Sequence, residues 1–227
     1  VSSEEKQKFE SVREQIANAC RDAGRSIDSI RLIAVSKKQS EESIRKLASF
    51  GQVDFGENYM QEALKKIENV NGDLRWHFIG ALQSNKAKLL LNGFHLFHGL
   101  DRISLATEIN RAAENKGVKV SCLVQVNIDD ENTKSGLAPS ELPKFLENVA
   151  KLSHIEILGL MSIPSPEGEA QKAFASLREL MSKANQADAY PKQLHELSMG
   201  MSGDFADAIR EGSTMIRVGT ALFGARQ

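Results

Sequence analysis

Lys37 closes the apolar run Ile33-Ala34-Val35-Ser36, so an amine ends a segment otherwise suited to burial. Burying an ammonium without a partner is costly, and the cost is relieved when the amine deprotonates or condenses with an aldehyde. Such a lysine is a Schiff-base candidate. Taken alone, the segment fits an ordinary solvated lysine at a strand end at least as well, so the chemistry needs a second feature. Two turns supply one. Ser198-Met199-Gly200-Met201-Ser202-Gly203-Asp204 opens a helical pattern at Phe205, and Gly219-Thr220-Ala221 follows a strand-like run. Glycines let backbone N–H groups approach an anion, Ser202 can cap or donate, and a helix start favours negative charge. Tight strand-to-helix turns use the same residues, so neither turn is decisive by itself. Arg217, in step with Met215 and Gly219, should point to the same place. Its bland alternative is an ion pair with a carboxylate such as Glu57 or Glu196.

These residues need elements to bring them together. Strand-like runs are predicted at Arg31 to Lys37, Val53 to Gly56, Trp76 to Gly80, Leu96 to Gly99, Val120 to Asn127, Ile155 to Ile163, Leu194 to Met199 and Thr214 to Gly219. Between them, helical spacing covers Glu41 to Phe50, Tyr59 to Val70, Ser84 to Leu91, Ile103 to Asn115, Ser140 to Leu152, Glu169 to Ala187 and Asp204 to Gly212. A parallel strand pair needs a long crossover, usually a helix, and nearly every gap has one. The pattern predicts an α/β fold, a TIM (β/α)8 barrel formed by residues 1–227 as one domain, with a doubly wound open sheet as runner-up. Little chain follows the eighth strand. The amphipathic segment Glu4 to Ala23 is therefore expected to cover the place of the missing eighth outer helix through Phe9, Val12, Ile16, Ala19 and Cys20.

A barrel of this kind carries its chemistry where the strands end, and phosphate often binds after strands seven and eight. Ile33, Val35 and Lys37 share one strand face, so packing the first two inward aims Lys37 into the mouth and Lys38 away from it. Lysine, both turns and Arg217 then converge. An aldehyde bearing a phosphate would suit them. Pyridoxal 5'-phosphate (PLP) is the ligand expected, and a PLP-free aldolase acting on a sugar phosphate would use the same groups. An arginine near a PLP ring nitrogen would disfavour ring protonation and weaken carbanion chemistry. Arg217 could equally meet the phosphate.

The 227 residues carry a formal net charge of −1, which gives no global field for nucleic acid or an anionic membrane. Cys20 and Cys122 have no metal-like spacing and read as reduced core residues, so no metal is expected. The N-terminus lacks the pattern of a secretory signal, and a cytoplasmic monomer is expected. His77 and His195 are candidates for acid/base work, while His95, His98 and His154 read as structural.

The sequence resembles the pyridoxal phosphate homeostasis proteins (the YggS/PROSC type), which look like the N-terminal barrel of alanine racemase. The resemblance rests on Ala34-Val35-Ser36-Lys37, Phe55-Gly56-Glu57-Asn58-Tyr59, Trp76-His77-Phe78-Ile79-Gly80, Leu82-Gln83-Ser84-Asn85-Lys86, Val124-Gln125-Val126-Asn127-Ile128, Gly159-Leu160-Met161-Ser162-Ile163-Pro164, Leu197-Ser198-Met199-Gly200-Met201-Ser202 and Ile216-Arg217-Val218-Gly219-Thr220. Ala81 stands where the family often has proline, and Gly203 where it often has an acidic residue. The resemblance implies that Lys37 is the PLP lysine, and that Ser198, Ser202, Gly219 and Thr220 border the phosphate. It also implies that Arg217 lies near the ring nitrogen and that Asn58, His77 and Met161 line the pocket. It implies vitamin B6 homeostasis, with PLP-accepting apoenzymes as further partners. A racemase of this type takes its second base, a tyrosine, from another domain of the partner subunit. This sequence ends at the barrel, and its tyrosines are Tyr59 and Tyr190. Tyr190 is expected at the far end, and Tyr59 could reach the mouth. A carrier or buffer of PLP without robust catalysis is thus expected, with a PLP-dependent racemase or lyase of modest activity as the alternative.

Overall fold

Parallel strands β1 (Arg31–Val35), β2 (Asp54–Glu57), β3 (Arg75–Phe78), β4 (Phe94–Leu100), β5 (Val120–Gln125), β6 (Ile155–Met161), β7 (Glu196–Ser198) and β8 (Met215–Val218) close into a barrel in chain order. The structure is a computed structural model, and it describes residues 3–129, 135–165 and 168–224. Closure is made by β8 pairing with β1, from Arg31 opposite Met215 to Ala34 opposite Val218. This is the expected TIM barrel.

Helices α2 (Glu41–Ser49), α3 (Met60–Asn69), α4 (Ile103–Lys116), α5 (Leu142–Val149), α6 (Ala170–Gln186) and α7 (Phe205–Arg210) occupy the crossovers. The third crossover, Ser84–Leu91, is a 3-10 helix where an α-helix was expected. Short α8 (Thr220–Phe223) follows β8.

Helix α1 (Glu4–Asp22) begins at Ser3, whose hydroxyl accepts from the Lys6 N–H, with Glu4 and Glu5 in the first turn beside the positive end of the helix dipole. Phe9, Val12, Ile16, Ala19 and Cys20 are all buried. They pack with Ile44 and Leu47 of α2, Phe205 and Ile209 of α7, Ile216 and Val218 of β8, and Leu222 of α8. The helix therefore lies over the β8–β1 seam, where an eighth outer helix would sit. Arg25 fastens its end by donating to the carbonyls of Ile209 (2.8 Å) and Ser213 (2.7 Å). Full burial of each large side chain in that stripe contributes roughly 1.5–3 kcal/mol.

Ile33, Leu96, Leu123, Met161 and Met215, from five different strands, form the apolar filling of the barrel itself. Six strands, β1, β3, β5, β6, β7 and β8, are shorter than their sequence pattern predicts, and β1 and β7 bear most on the site. β1 ends at Val35, and Lys37 falls in the turn beyond it. β7 keeps three residues because Leu194 gives its N–H and its carbonyl to the Asn185 amide, both at 2.8 Å, instead of to a neighbouring strand. Beside it, β6 comes so close that a Cβ on Gly159 would lie 1.8 Å from the Glu196 carbonyl oxygen. Glycine is obligatory there.

Candidate functional site

The chain leaves β1 through a tight turn, Ser36-Lys37-Lys38-Gln39, closed by the Gln39 N–H donating to the Ser36 carbonyl at 3.0 Å. Lys38 adopts φ +60°, a left-handed conformation that disfavours a residue with a side chain. Compensation comes from α3. The Lys38 N–H donates to Glu62 Oε1 at 2.5 Å, and Lys66 Nζ donates to Glu62 Oε1 (2.6 Å), Glu57 Oε1 (2.7 Å) and the Ser36 carbonyl (2.6 Å). Ser36 Oγ adds a 2.6 Å bond to the same Glu57 oxygen. Burial raises the Glu57 carboxyl above its ordinary range, against the pull of Lys66 and Ser36. The turn that presents Lys37 thus stands on a buried ion-pair network.

Lys37, half-buried, lines a cavity of about 280 Å³ together with Val35, Gln39, Met201, Ser202, Gly203, Arg217, Gly219, Thr220 and Gly224. Lys38 lines a separate surface depression with Glu62, Lys65 and Lys66, which is the divergence that strand parity predicts. At the cavity, Gly219 lies close to β1, since a Cβ there would stand 3.4 Å from Val35 Cβ, while around Gly203 the space is open. Thr220 and Ala221 begin α8, so their N–H groups have no intrahelical acceptor.

Arg217 is 4% exposed and donates through Nη1 to Ser198 Oγ (2.7 Å) and through Nη2 to the Ser162 carbonyl (2.9 Å). Neither Glu57 nor Glu196 pairs with it. Glu57 is taken by Lys66 and Ser36, and Glu196 lies 3.6 Å from Arg31. Burial lowers the guanidinium to about 10, with Asp204 pulling the other way, so it remains a cation at neutral pH. A buried cation with neutral oxygens as its protein partners is suited to an anionic ligand.

The remaining residues singled out in the sequence stand elsewhere. Ser198, His77 and Met161 are fully buried in the barrel interior, outside the cavity wall. His77 Nε2 meets Asp54 Oδ1 at 2.9 Å, its Nδ1 meets His98 Nε2 at 3.0 Å, and His98 Nδ1 meets Ser198 Oγ at 2.9 Å. Burial, then the neighbouring His77 and Arg217, hold His98 well below its ordinary value, and burial lowers His77 despite Asp54. Burial alone would raise Asp54, but the bonds from His77 and Arg75 outweigh it and the carboxyl sits low. Asn58 is half-buried, and its Oδ1, like Ser162 Oγ and Glu57 Oε2, is buried without a hydrogen-bond partner among the described residues. Tyr59 is exposed after β2, whereas the Tyr190 hydroxyl accepts from the Ile157 N–H at 3.1 Å, early in β6 and away from the mouth.

Lys66, Glu62, Asp54, Arg75 and His98 were not flagged by the sequence, although Asp54 and Arg75 begin adjacent strands as an obvious charge pair. A larger cavity of about 600 Å³ opens where the strands begin, lined by Arg13, Arg31, Asp54, Arg75, His195 and Glu196 among others. There the charges are already matched, Arg75 with Asp54 at 2.6 Å and Arg31 with Glu196. Both cysteines are buried and free, and no cluster able to hold a metal ion exists among the described residues. No helix among them is long and apolar enough to cross a membrane.

Comparison with known proteins gives this geometry a lineage. Residues 11–227 match the family model described as alanine racemase, N-terminal domain. The pyridoxal phosphate homeostasis protein of Escherichia coli (strain K12) is 42% identical over 221 residues, covering 95% of this chain and 94% of that protein. The structure of PipY from Synechococcus elongatus PCC7942 with PLP bound superposes with a TM-score of 0.81 at 37% identity, over 92% of this chain and 100% of that one. Alanine racemase from Corynebacterium glutamicum shares the fold alone, with a TM-score of 0.73 at 15% identity over 96% of this chain and 61% of the racemase. Full-length likeness at this identity, on a barrel with its lysine and arginine at one mouth, makes the chain a member of the pyridoxal phosphate homeostasis protein family, built on the alanine racemase N-terminal domain.

Proposed function

We propose that this chain, as one barrel domain, holds PLP as a Schiff base on Lys37 and serves vitamin B6 homeostasis as an intracellular carrier or buffer without robust catalysis. The observation that carries the reading is the single cavity shared by Lys37, Arg217 and the turns after β7 and β8. Its volume of about 280 Å³ falls just below the roughly 300–1,000 Å³ usual for ligand sites, so a small ligand suits it best. The donor set fits an aldehyde phosphate. Lys37 would hold the aldehyde carbon, the N–H groups of Ser202, Gly203, Thr220 and Ala221 would take the phosphate, and Arg217 would meet the ring nitrogen or the phosphate. Ser198, His77 and Met161 would shape the floor from within the barrel, and Asn58, whose buried Oδ1 lacks a partner among the described residues, would border the pocket beside them.

PLP supplies a reactive aldehyde and an electron-accepting ring. Using that ring for turnover needs a second proton carrier, and among the described lining residues Lys37 and Arg217 are the ionisable ones. That supports a tether more than a catalytic base. The names of the relatives and the PLP in PipY support the same reading. PLP-accepting apoenzymes would be the recipients, and the carrier would act as a cytoplasmic monomer.

Titration of the purified chain with PLP tests the proposal. Near-visible absorbance should grow to one equivalent, be missing in Lys37→Ala, and decline when an apoenzyme that needs PLP is added. Racemisation or elimination of single amino acids above the Lys37→Ala control would replace the carrier reading with a catalytic one.

A further inference from the structure

We infer that Asp54, His77 and His98 are positioning residues: through the barrel lumen they fix which way the Ser198 hydroxyl points its proton, and so hold Arg217 at the wall of the mouth cavity. The inference rests on the reading that this cavity takes an anionic aldehyde. It starts from a path of short contacts. Arg75 grips Asp54 with Nε (2.9 Å) and Nη2 (2.6 Å), and Asp54 then leads to His77, His98, Ser198 and Arg217, each step between 2.7 and 3.0 Å. The path enters where β2 and β3 begin and leaves where β7 and β8 end. His98 belongs to β4 and Ser198 to β7, strands that β5 and β6 separate, so this bond spans the lumen.

Hydrogen-bond chemistry restricts how the protons lie along it. Two imidazole nitrogens 3.0 Å apart need one proton between them, so one ring donates and the other accepts. The two-pronged grip of Arg75 keeps Asp54 an acceptor-only carboxylate, and the proton of the Asp54–His77 bond therefore sits on His77 Nε2. A second proton on His77 is favoured by Asp54, but complete burial, with His95 and Arg31 nearby, outweighs that pull. Neutral His77 must then accept at Nδ1 from His98 Nε2. His98, held well below its ordinary value by burial and then by His77, Arg217, Arg31 and His95, is neutral as well and accepts at Nδ1 from the Ser198 hydroxyl. The hydroxyl proton is spent, and Ser198 offers a lone pair to Arg217 Nη1. From Arg217 to Asp54, every donor points away from the mouth.

Two consequences follow. Ser198 cannot donate to a ligand phosphate, and its part is to orient the arginine. Arg217, fixed by Ser198 Oγ and the Ser162 carbonyl, keeps its remaining N–H donors for the cavity.

Long-range 1H–15N correlation spectra of the imidazole nitrogens in the full PLP-free chain test the relay. Both His77 and His98 should be neutral with the proton on Nε2. A proton on Nδ1 of either ring, whether from the other tautomer or from a doubly protonated His77, overturns the inference. A second measurement reads the consequence. His98→Leu should weaken PLP binding about 10-fold, on the order of one charged hydrogen bond. His98→Gln, whose amide can accept from Ser198 and donate to His77, should recover affinity to within about 3-fold, a rescue expected if donor and acceptor order matters. Leucine binding like the wild type, or glutamine as weakly as leucine, overturns the positioning role. If the wild-type chain takes up no PLP, the proposed function fails, while the tautomer assignment still decides the relay.

Discussion

Replacing Lys66 by methionine would keep most of the buried stem and remove the charge beneath the Lys37 turn. Lys66 is 4% exposed and makes three charged hydrogen bonds of 2.6–2.7 Å, to Ser36, Glu57 and Glu62. Without it, fully buried Glu57 retains the Ser36 hydroxyl, and its Oε2 already lacks a partner among the described residues. Removing one member of a buried pair costs about 3–5 kcal/mol, because the remaining charge stays desolvated. The loss should depend on pH. Burial already raises Glu57 above its ordinary 4.5, and Lys66 is the first influence opposing that rise. In the variant the folded value climbs further. Between 4.5 and that value the native state binds more protons than the unfolded chain, so stability falls as pH rises through the window. The penalty is complete above it and fades toward pH 4.5. Urea unfolding of wild type and variant should give a difference of about 3–5 kcal/mol near pH ~7.5 and a clearly smaller one near pH ~5. Adding Glu57→Gln should restore most of the neutral-pH loss. A difference that ignores pH, one below about 1 kcal/mol, or a double variant no better than the single would refute the reasoning.

Other expectations are more direct. Phe9→Ala, emptying the stripe by which α1 covers the β8–β1 seam, should cost about 3–5 kcal/mol in the same unfolding assay. Gly159→Ala forces a Cβ to 1.8 Å from the Glu196 carbonyl, so β6 and β7 must separate, and the thermal midpoint should drop well beyond the effect of an exposed glycine such as Gly203 changed to alanine. Arg217→Lys cannot reach Ser198 Oγ and the Ser162 carbonyl with one planar fork, and PLP affinity should fall about 10-fold in a spectroscopic titration.

Much of the barrel was legible because parallel strands demand crossovers, and the alternation of strand and helix patterns announces them. The role of α1 was legible in the unclaimed apolar stripe before β1. Boundaries were less legible where side chains compete with the sheet, as Asn185 does at Leu194. In the site, parity along β1 separated Lys37 from Lys38, and turn composition pointed to the segments after β7 and β8. The supports were hidden. Lys66 sits in α3 looking like one more surface lysine, and only the fold shows it buried against Glu57. His98 had no motif context because its partner, Ser198, is 100 residues away on a strand that is not its neighbour in the sheet. Contacts across a lumen depend on barrel closure and stagger, which no local pattern encodes. The same limit hid that Arg217 pairs with Ser198 and the Ser162 carbonyl, not with Glu57 or Glu196.

The carrier role depends most on which amine takes the aldehyde. The purified chain should be loaded with PLP, reduced with borohydride, digested and mapped by mass spectrometry. One phosphopyridoxyl adduct is expected, on Lys37. An adduct on Lys38 or Lys66, or an unmodified Lys37 in protein that has bound PLP, would contradict that role.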